Sequence, residues 1–339
     1  MVIEGESDMS QGNLDSMLGI APIEEIEVGW LTLPAAKCPI TESNFSWPME
    51  CPFGQAEGRT LYAVSGVRGC PNGCTYCWMR QFWVKSTRPR LPEGTRYEDP
   101  VVLTDLVRQF DAQLRSRPKM KGQWLLVSNT TDPLAQPALE VFPELAGLAL
   151  LRSMNLVILS KSAPPFDVAV PPLLERSILK SEGQIWWGAT VTTDDDAIAR
   201  YIEPHSPPPS RRLKLLNAVQ SWAQVQGISD RLKTWVSVGG WHTGTDMMPL
   251  MEALASVRVE LVVIELMHKQ KSCEIEWKDW LVREKDIDSS ILESVIKIGA
   301  EKGISVVFKD ELRRRVNSFG KLRKLYEEMH PGVIWRMKK

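Results

Sequence analysis

Three cysteines fall within eight residues of one another: Cys70, Cys74 and Cys77, in the stretch VRGCPNGCTYCWMRQFW. A thiolate is both a nucleophile and a soft metal ligand, so a C-x3-C-x2-C cluster is a candidate metal site. Structural zinc is four-coordinate and closed, and it usually takes paired C-x2-C or Cys/His sets. No second pair lies at finger-like spacing here. Iron–sulfur clusters are the other common consumer of thiolates. A cubane held by only three cysteines keeps one iron without a protein ligand, and that iron can take a small molecule. Pro71, Asn72 and Gly73 suit a tight loop that lets three sulfurs converge. A zinc site or a plain thiol loop is the alternative.

Such a loop needs a scaffold. From Leu61 onward, short apolar runs alternate with helical patterns. LYAVSGV, WLLVSN, NLVILSK, IWWGATVTT, KTWVSVGG, ELVVIEL and ISVVFK read as strands, about seven in all. Between them VVLTDLVRQFDAQLRS, ALEVFPELAGLALLRS, PPLLERSILK, SRRLKLLNAVQSWAQVQG, MPLMEALASV and SSILESVIKIGAEKG read as helices or helical patterns, with Gly227 a C-terminal cap. This alternation predicts an α/β fold with a parallel sheet: a partial (β/α) barrel of about six to seven strands. Polar residues close several strands, namely Ser128-Asn129, Ser160-Lys161 and Thr192-Thr193. Parallel barrels and open sheets keep their sites at those carboxyl ends. The expected organisation is a polar tail over 1–20, a Pro-rich lead-in over 21–58, the barrel over 59–310 and a C-terminal helix over 311–339. That last helix is charge-striped and reads as a solvated face.

The bulk numbers set outer limits. The 339 residues are 43% apolar, enough to bury a sizeable core, and 41 basic against 42 acidic residues give a formal charge of −1. That balance provides no global attraction to nucleic acid or anionic lipid. The first twenty residues lack an apolar signal region, and no run of about 18 apolar residues occurs. The expected compartment is the cytoplasm, with reduced thiols and no membrane partner.

The cysteine segment resembles the signature of the radical S-adenosylmethionine (SAM) superfamily, C-x3-C-x-aromatic-C after the first barrel strand: Cys70, Cys74, Tyr76 and Cys77 after LYAVSGV. Downstream, TTDPLAQPALE, ILSKS and ATVTTDDDAIARYIEPHSPPPSRRL are similar to segments of the spore photoproduct lyase-like branch, and the resemblance spans roughly residues 60–245. It implies a [4Fe–4S] cluster on Cys70, Cys74 and Cys77 whose open iron chelates SAM. It further implies reductive cleavage of SAM and hydrogen abstraction from a substrate, as a lyase or oxidoreductase. A flavodoxin- or ferredoxin-type electron donor is the implied partner. Tyr76, Thr131, Asp132, Lys161 and Thr192 are carried over as SAM-binding residues. Lys161 can neutralise the ligand carboxylate, and Asp132 can accept from its ammonium. Glu203 and Arg212 stand equally as ligands or as a structural ion pair. One departure matters: the lyase has a hydrogen-donor cysteine where this chain has Asn129. That argues against spore photoproduct repair and leaves the substrate open, with nucleic acid, peptide and small molecule all in play.

The remaining candidates are weaker. Cys38, Cys51 and Cys273 read as buried or incidental thiols rather than an auxiliary cluster. His205, His242 and Glu265 lie near strand mouths and are candidate substrate contacts. The basic runs KSTRPR and RSRPKMK offer groups for phosphate but read as solvated surface. A metal-stapled binding module without turnover is the competing function.

Overall fold

The structure is a computed structural model describing residues 31–34, 40–43, 51–54, 58–83, 93–128, 130–267 and 281–330. Its strands, in chain order, are β1 (Thr32–Pro34), β2 (Thr41–Glu42), β3 (Leu61–Val64), β4 (Val67–Arg68), β5 (Val101–Thr104), β6 (Trp124–Val127), β7 (Asn155–Ser160), β8 (Ile185–Thr190), β9 (Leu232–Trp241), β10 (Leu261–Leu266) and β11 (Ser305–Phe308). The main sheet has eight strands in the order β11-β10-β9-β8-β7-β6-β3-β2. All of its pairings are parallel except the edge pair of β2 with β3. Seven parallel strands therefore form an open, partial barrel, as the βα alternation predicts. The tail over 1–20, most of the 21–58 lead-in, and Cys38, Asn129, Cys273 and KSTRPR lie outside the described residues.

Helices make the crossovers. Ala138–Leu151 joins β6 to β7, Pro172–Lys180 joins β7 to β8, Pro209–Val225 joins β8 to β9, Met247–Ser256 joins β9 to β10, and Ser289–Glu301 joins β10 to β11. Right-handed crossovers place such helices on one face of a parallel sheet. The period-2 alternation of each strand then decides what its two faces bury. Leu125, Val127, Leu156, Ile158, Trp187, Val236, Val262 and Val306 pack with the helices. Their neighbours Leu126, Val157, Trp186, Trp235, Leu261, Val263 and Val307 form a separate inner cluster with Cys51 and Phe53. Phe53 fills the concave side: its ring lies 4.8 Å from the Trp235 ring and 6.1 Å from those of Trp124 and Trp186. Gly188 makes this possible, because a Cβ there would sit 2.2 Å from the Trp235 indole nitrogen.

Two elements differ from the sequence reading. VVLTDLVRQFDAQLRS is not one helix: Val101–Thr104 is the strand β5, in a small second sheet of order β1-β5-β4, and the helix is Leu106–Ser116. The β-branched Val101 and Val102 favour extended backbone. Asp105 then breaks the run with a left-handed φ of 59°. The C-terminal segment is two helices, Asp310–Ser318 and Gly320–Met329, and it is not solvated all round. Leu312, Val316, Leu322 and Tyr326 are buried, and the Tyr326 hydroxyl donates to the Val306 carbonyl of β11. Among the described residues no helix is long and apolar enough to cross a membrane.

Candidate functional site

The cysteine loop leaves β4 and ends at the short helix Met79–Phe82. Two glycines shape it, Gly69 with φ +83° and Gly73 with φ +60°. Position 73 also excludes a side chain by contact, because a Cβ would lie 2.6 Å from the His205 ring. The loop is stitched to its surroundings by backbone bonds. Cys70 N–H donates to Tyr97 O at 2.9 Å, and Thr75 donates to Ile202 O through both its N–H, at 3.0 Å, and its hydroxyl, at 2.9 Å. Arg80, paired with Glu98 at 2.5 Å, supports the far end.

One cavity of about 160 Å³ joins this loop to the strand ends. Its wall includes all three cysteines, Tyr76 and Tyr97, then Thr131, Asp132, Lys161 and Thr190. Leu126 and Leu159, from the inner sheet face, also line it. The cavity therefore sits at the carboxyl end of the parallel strands, above the aromatic filling. The sequence-predicted residues Cys70, Cys74, Cys77, Tyr76, Thr131, Asp132 and Lys161 meet here. Thr192 does not. It lies two residues beyond β8, fully buried behind the wall, and its carbonyl accepts from Thr245 Oγ1 at 2.6 Å. Thr190, the last residue of β8, takes the wall position. His242 also falls outside the lining and is fully buried. Glu265 pairs with Lys309 at 2.9 Å at the ends of β10 and β11.

Three polar arrangements organise the cavity. The first centres on Asp132. Its Oδ2 accepts from Asn72 Nδ2 at 2.8 Å, Lys161 N at 2.6 Å and Ser162 N at 3.1 Å, and its Oδ1 accepts from Ser160 Oγ at 2.5 Å and Leu134 N at 3.0 Å. The second is a buried ion pair between Glu203 and Arg212, which are 0% and 1% exposed. Arg212 also donates to Thr190 O and Pro207 O, each at 2.8 Å, and the Tyr76 hydroxyl donates to Glu203. Glu203 and Arg212 are thus the structural pair of the two roles open to them, and they tie the cysteine loop to the end of β8. The third is Lys161. Its Nζ stands 5.2 Å from the centre of the Tyr76 ring, and no described residue forms a hydrogen bond or ion pair with it. Enclosure works against its charge and Cys74 and Glu203 favour it; the balance keeps an ammonium.

The thiols complete the picture. Burial, with the nearby Asp132 charge, pushes the Cys70 thiol up to about 12, against the lowering influence of the Asn72 and Asp132 backbone N–H groups. Burial drives the Cys74 thiol up as well, against the pull of Lys161. Buried thiols of this kind are poor nucleophiles and become thiolate ligands only when a bound cation replaces the proton. Among the described residues no three His, Cys, Asp or Glu side chains are grouped to hold a single metal ion. A cubane needs no such convergence, since each sulfur binds its own iron corner. The unpaired Thr131 hydroxyl and the Lys161 ammonium suit the carboxylate and ammonium of an amino acid group. The residues present therefore fit both groups that the resemblance implies. Sequence reasoning placed Asn72 in the loop and Ser160 at a strand end without linking either to Asp132, and it missed Ser162 and Tyr97, whose hydroxyl lies 3.5 Å from Cys77 Sγ.

Comparison with known proteins bears on the fold. No family profile matches the chain. An uncharacterised protein, ORF301 of Acidianus two-tailed virus, is 22% identical over 249 residues, 71% of this chain and 78% of that one. Uncharacterised Rv2578c of Mycobacterium tuberculosis is 27% identical over 170 residues, 47% of this chain, and the match spans 46% of its own length. Among solved structures, Streptococcus suis SuiB bound to its precursor peptide SuiA superposes with a TM-score of 0.50 at 11% identity, over 74% of this chain and 48% of SuiB. Spore photoproduct lyase complexed with dinucleoside spore photoproduct gives 0.49 at 11% identity, over 73% and 76%. Taken with the open seven-stranded parallel sheet, the superposition on SuiB shows that the chain shares the fold of the part of SuiB it covers.

Proposed function

We propose that the chain is a radical SAM enzyme whose Cys70, Cys74 and Cys77 hold a [4Fe–4S] cluster. The observation that carries this is the shared cavity: the three cysteines face the same space as Lys161 and Thr131, at the carboxyl end of the strands. The group these three cysteines would hold would supply one-electron reduction of bound SAM and, through it, radical hydrogen abstraction from a substrate. The chain's own residues bind and orient. Lys161 presents an ammonium to the SAM carboxylate, and the Thr131 hydroxyl is available to the same group. Tyr76, fixed by Glu203, lines the cavity and presents its ring to the Lys161 ammonium. Leu126 and Leu159 close the floor, where the aromatic filling excludes water from a radical centre. An external one-electron donor of flavodoxin or ferredoxin type completes the system. The substrate class is open.

The test is anaerobic reconstitution with iron and sulfide, followed by reductant and SAM. A brown protein with about four irons per chain that forms 5′-deoxyadenosine is expected. A colourless protein holding one zinc, with no 5′-deoxyadenosine, would refute the reading.

A further inference from the structure

We propose that Asp132 is a positioning residue that locks the cysteine loop to the Lys161 end of β7, and that it does not bind the SAM ammonium. The inference rests on the cluster reading above and concerns a role the resemblance does not assign. Two carboxylate oxygens offer about four lone-pair sites. Five donors already reach them: Asn72 Nδ2, Ser160 Oγ, and the backbone N–H groups of Leu134, Lys161 and Ser162. An incoming ammonium would have to displace buried, charge-assisted bonds. Asp132 is only 7% exposed, and Asn72 only 4%.

The donors come from three different strand ends. Asn72 lies inside the cysteine loop, between Cys70 and Cys74. Leu134 follows β6, as Asp132 does. Ser160 ends β7, and Lys161 and Ser162 follow it. One carboxylate therefore fixes the loop relative to the backbone that carries the Lys161 ammonium. It also lies beside the sulfurs, because Asn72 stands between Cys70 and Cys74 in the loop and Asp132 lines the same cavity as all three cysteines. Donors to a cluster sulfur and nearby charge tune the cluster's reduction potential. A SAM ligand and a loop clamp thus predict different observables. Loss of a ligand weakens SAM binding and leaves the SAM-free cluster as it was. Loss of the clamp changes the SAM-free cluster itself.

The experiment uses the full chain, reconstituted anaerobically, as wild type, Asp132→Asn and Asn72→Ala. Asp132→Asn keeps the shape and removes the charge. Asn72→Ala removes one charge-assisted bond from the loop side and leaves the Asp132 charge in place. Each protein is measured without SAM for reduction potential, for the electron paramagnetic resonance spectrum of the reduced cluster and for iron loss to a chelator. SAM affinity follows. The expected result is a less negative potential and an altered SAM-free spectrum for Asp132→Asn, and iron loss about tenfold faster for Asn72→Ala. Unchanged potential, spectrum and iron release in both variants, with SAM affinity weakened tenfold or more in Asp132→Asn alone, would overturn the clamp and make Asp132 a ligand. Wild type that takes up no cluster would overturn the reading beneath it, and that outcome is visible before either variant is examined.

Discussion

Replacing Lys161 with methionine separates a ligand-binding cation from a structural one. Methionine keeps most of the aliphatic stem, so the volume stays filled while the ammonium is lost. In the free protein that ammonium has no hydrogen bond or ion pair with a described residue, and it stands 5.2 Å from the centre of the Tyr76 ring. A cation–π contact contributes about 0.5–1 kcal/mol, up to about 2 when desolvated. Removing an enclosed charge also relieves its desolvation cost. The two effects oppose, so folding stability should change by less than about 1 kcal/mol. With SAM present, the lysine would make a charge-assisted bond to the carboxylate, worth about 1.5–3 kcal/mol. The dissociation constant should therefore rise roughly 10- to 150-fold. Anaerobic calorimetric titration of the reconstituted variant measures this, with iron content and denaturant midpoint as controls. A SAM affinity within about threefold of wild type, or a loss of stability beyond about 2 kcal/mol, would show that Lys161 serves the fold instead.

Further outcomes follow from the same geometry. Replacing Cys70, Cys74 and Cys77 together with alanine should abolish iron uptake on reconstitution, counted by iron analysis; retention of about four irons per chain would contradict the assignment. Glu203→Gln leaves the buried Arg212 charge uncompensated and should cost about 3–5 kcal/mol in denaturant unfolding, part of which Arg212→Met should restore in the double variant. Gly188→Ala drives a methyl into the Trp235 indole, whose N–H bonds Ile158 O and Trp186 O at 3.1 and 3.2 Å. It should destabilise by about 1–3 kcal/mol in the same assay.

The strands were legible because each inner face and each helix-facing side is apolar, so buried β-branched runs stand out from the polar loops. The exception is instructive. VVLT carries the same signal, but only Asp105 separates it from a strong helical stripe at Leu106, Phe110 and Leu114, so one period hides the other. The site was legible where chemistry is local. Three cysteines in one loop announce themselves, and a lysine closing an apolar strand marks a strand mouth. It was not legible where position depends on the turn after a strand. Thr190 and Thr192 share a parity, and only the path of the chain beyond β8 decides which one faces the cavity. Nor could spacing reveal that Asn72 and Asp132, 60 residues apart, share a hydrogen bond.

Height along the barrel decides which physics governs a residue. In the lower part of the concave side, Phe53, Trp124, Trp186 and Trp235 pack together, with the Lys233 ammonium 5.8 Å from the centre of the Trp186 ring, and their burial contributes stability directly. At the strand mouths the groups are polar and enclosed, and burying them carries a desolvation cost that good geometry only offsets. Such networks are a poor way to gain stability over an apolar alternative. What they provide is directional: Asp132 and Glu203 each accept bonds from the cysteine loop and from the far side of the cavity, so the loop cannot shift without breaking a charge-assisted bond. On the proposed reading, a loop that carries three sulfurs to the corners of a cluster needs that restraint more than it needs extra packing. Substitutions in the aromatic layer should accordingly lower stability with the SAM-binding groups intact, while isosteric changes in the two networks should disturb the site by more than their effect on unfolding accounts for.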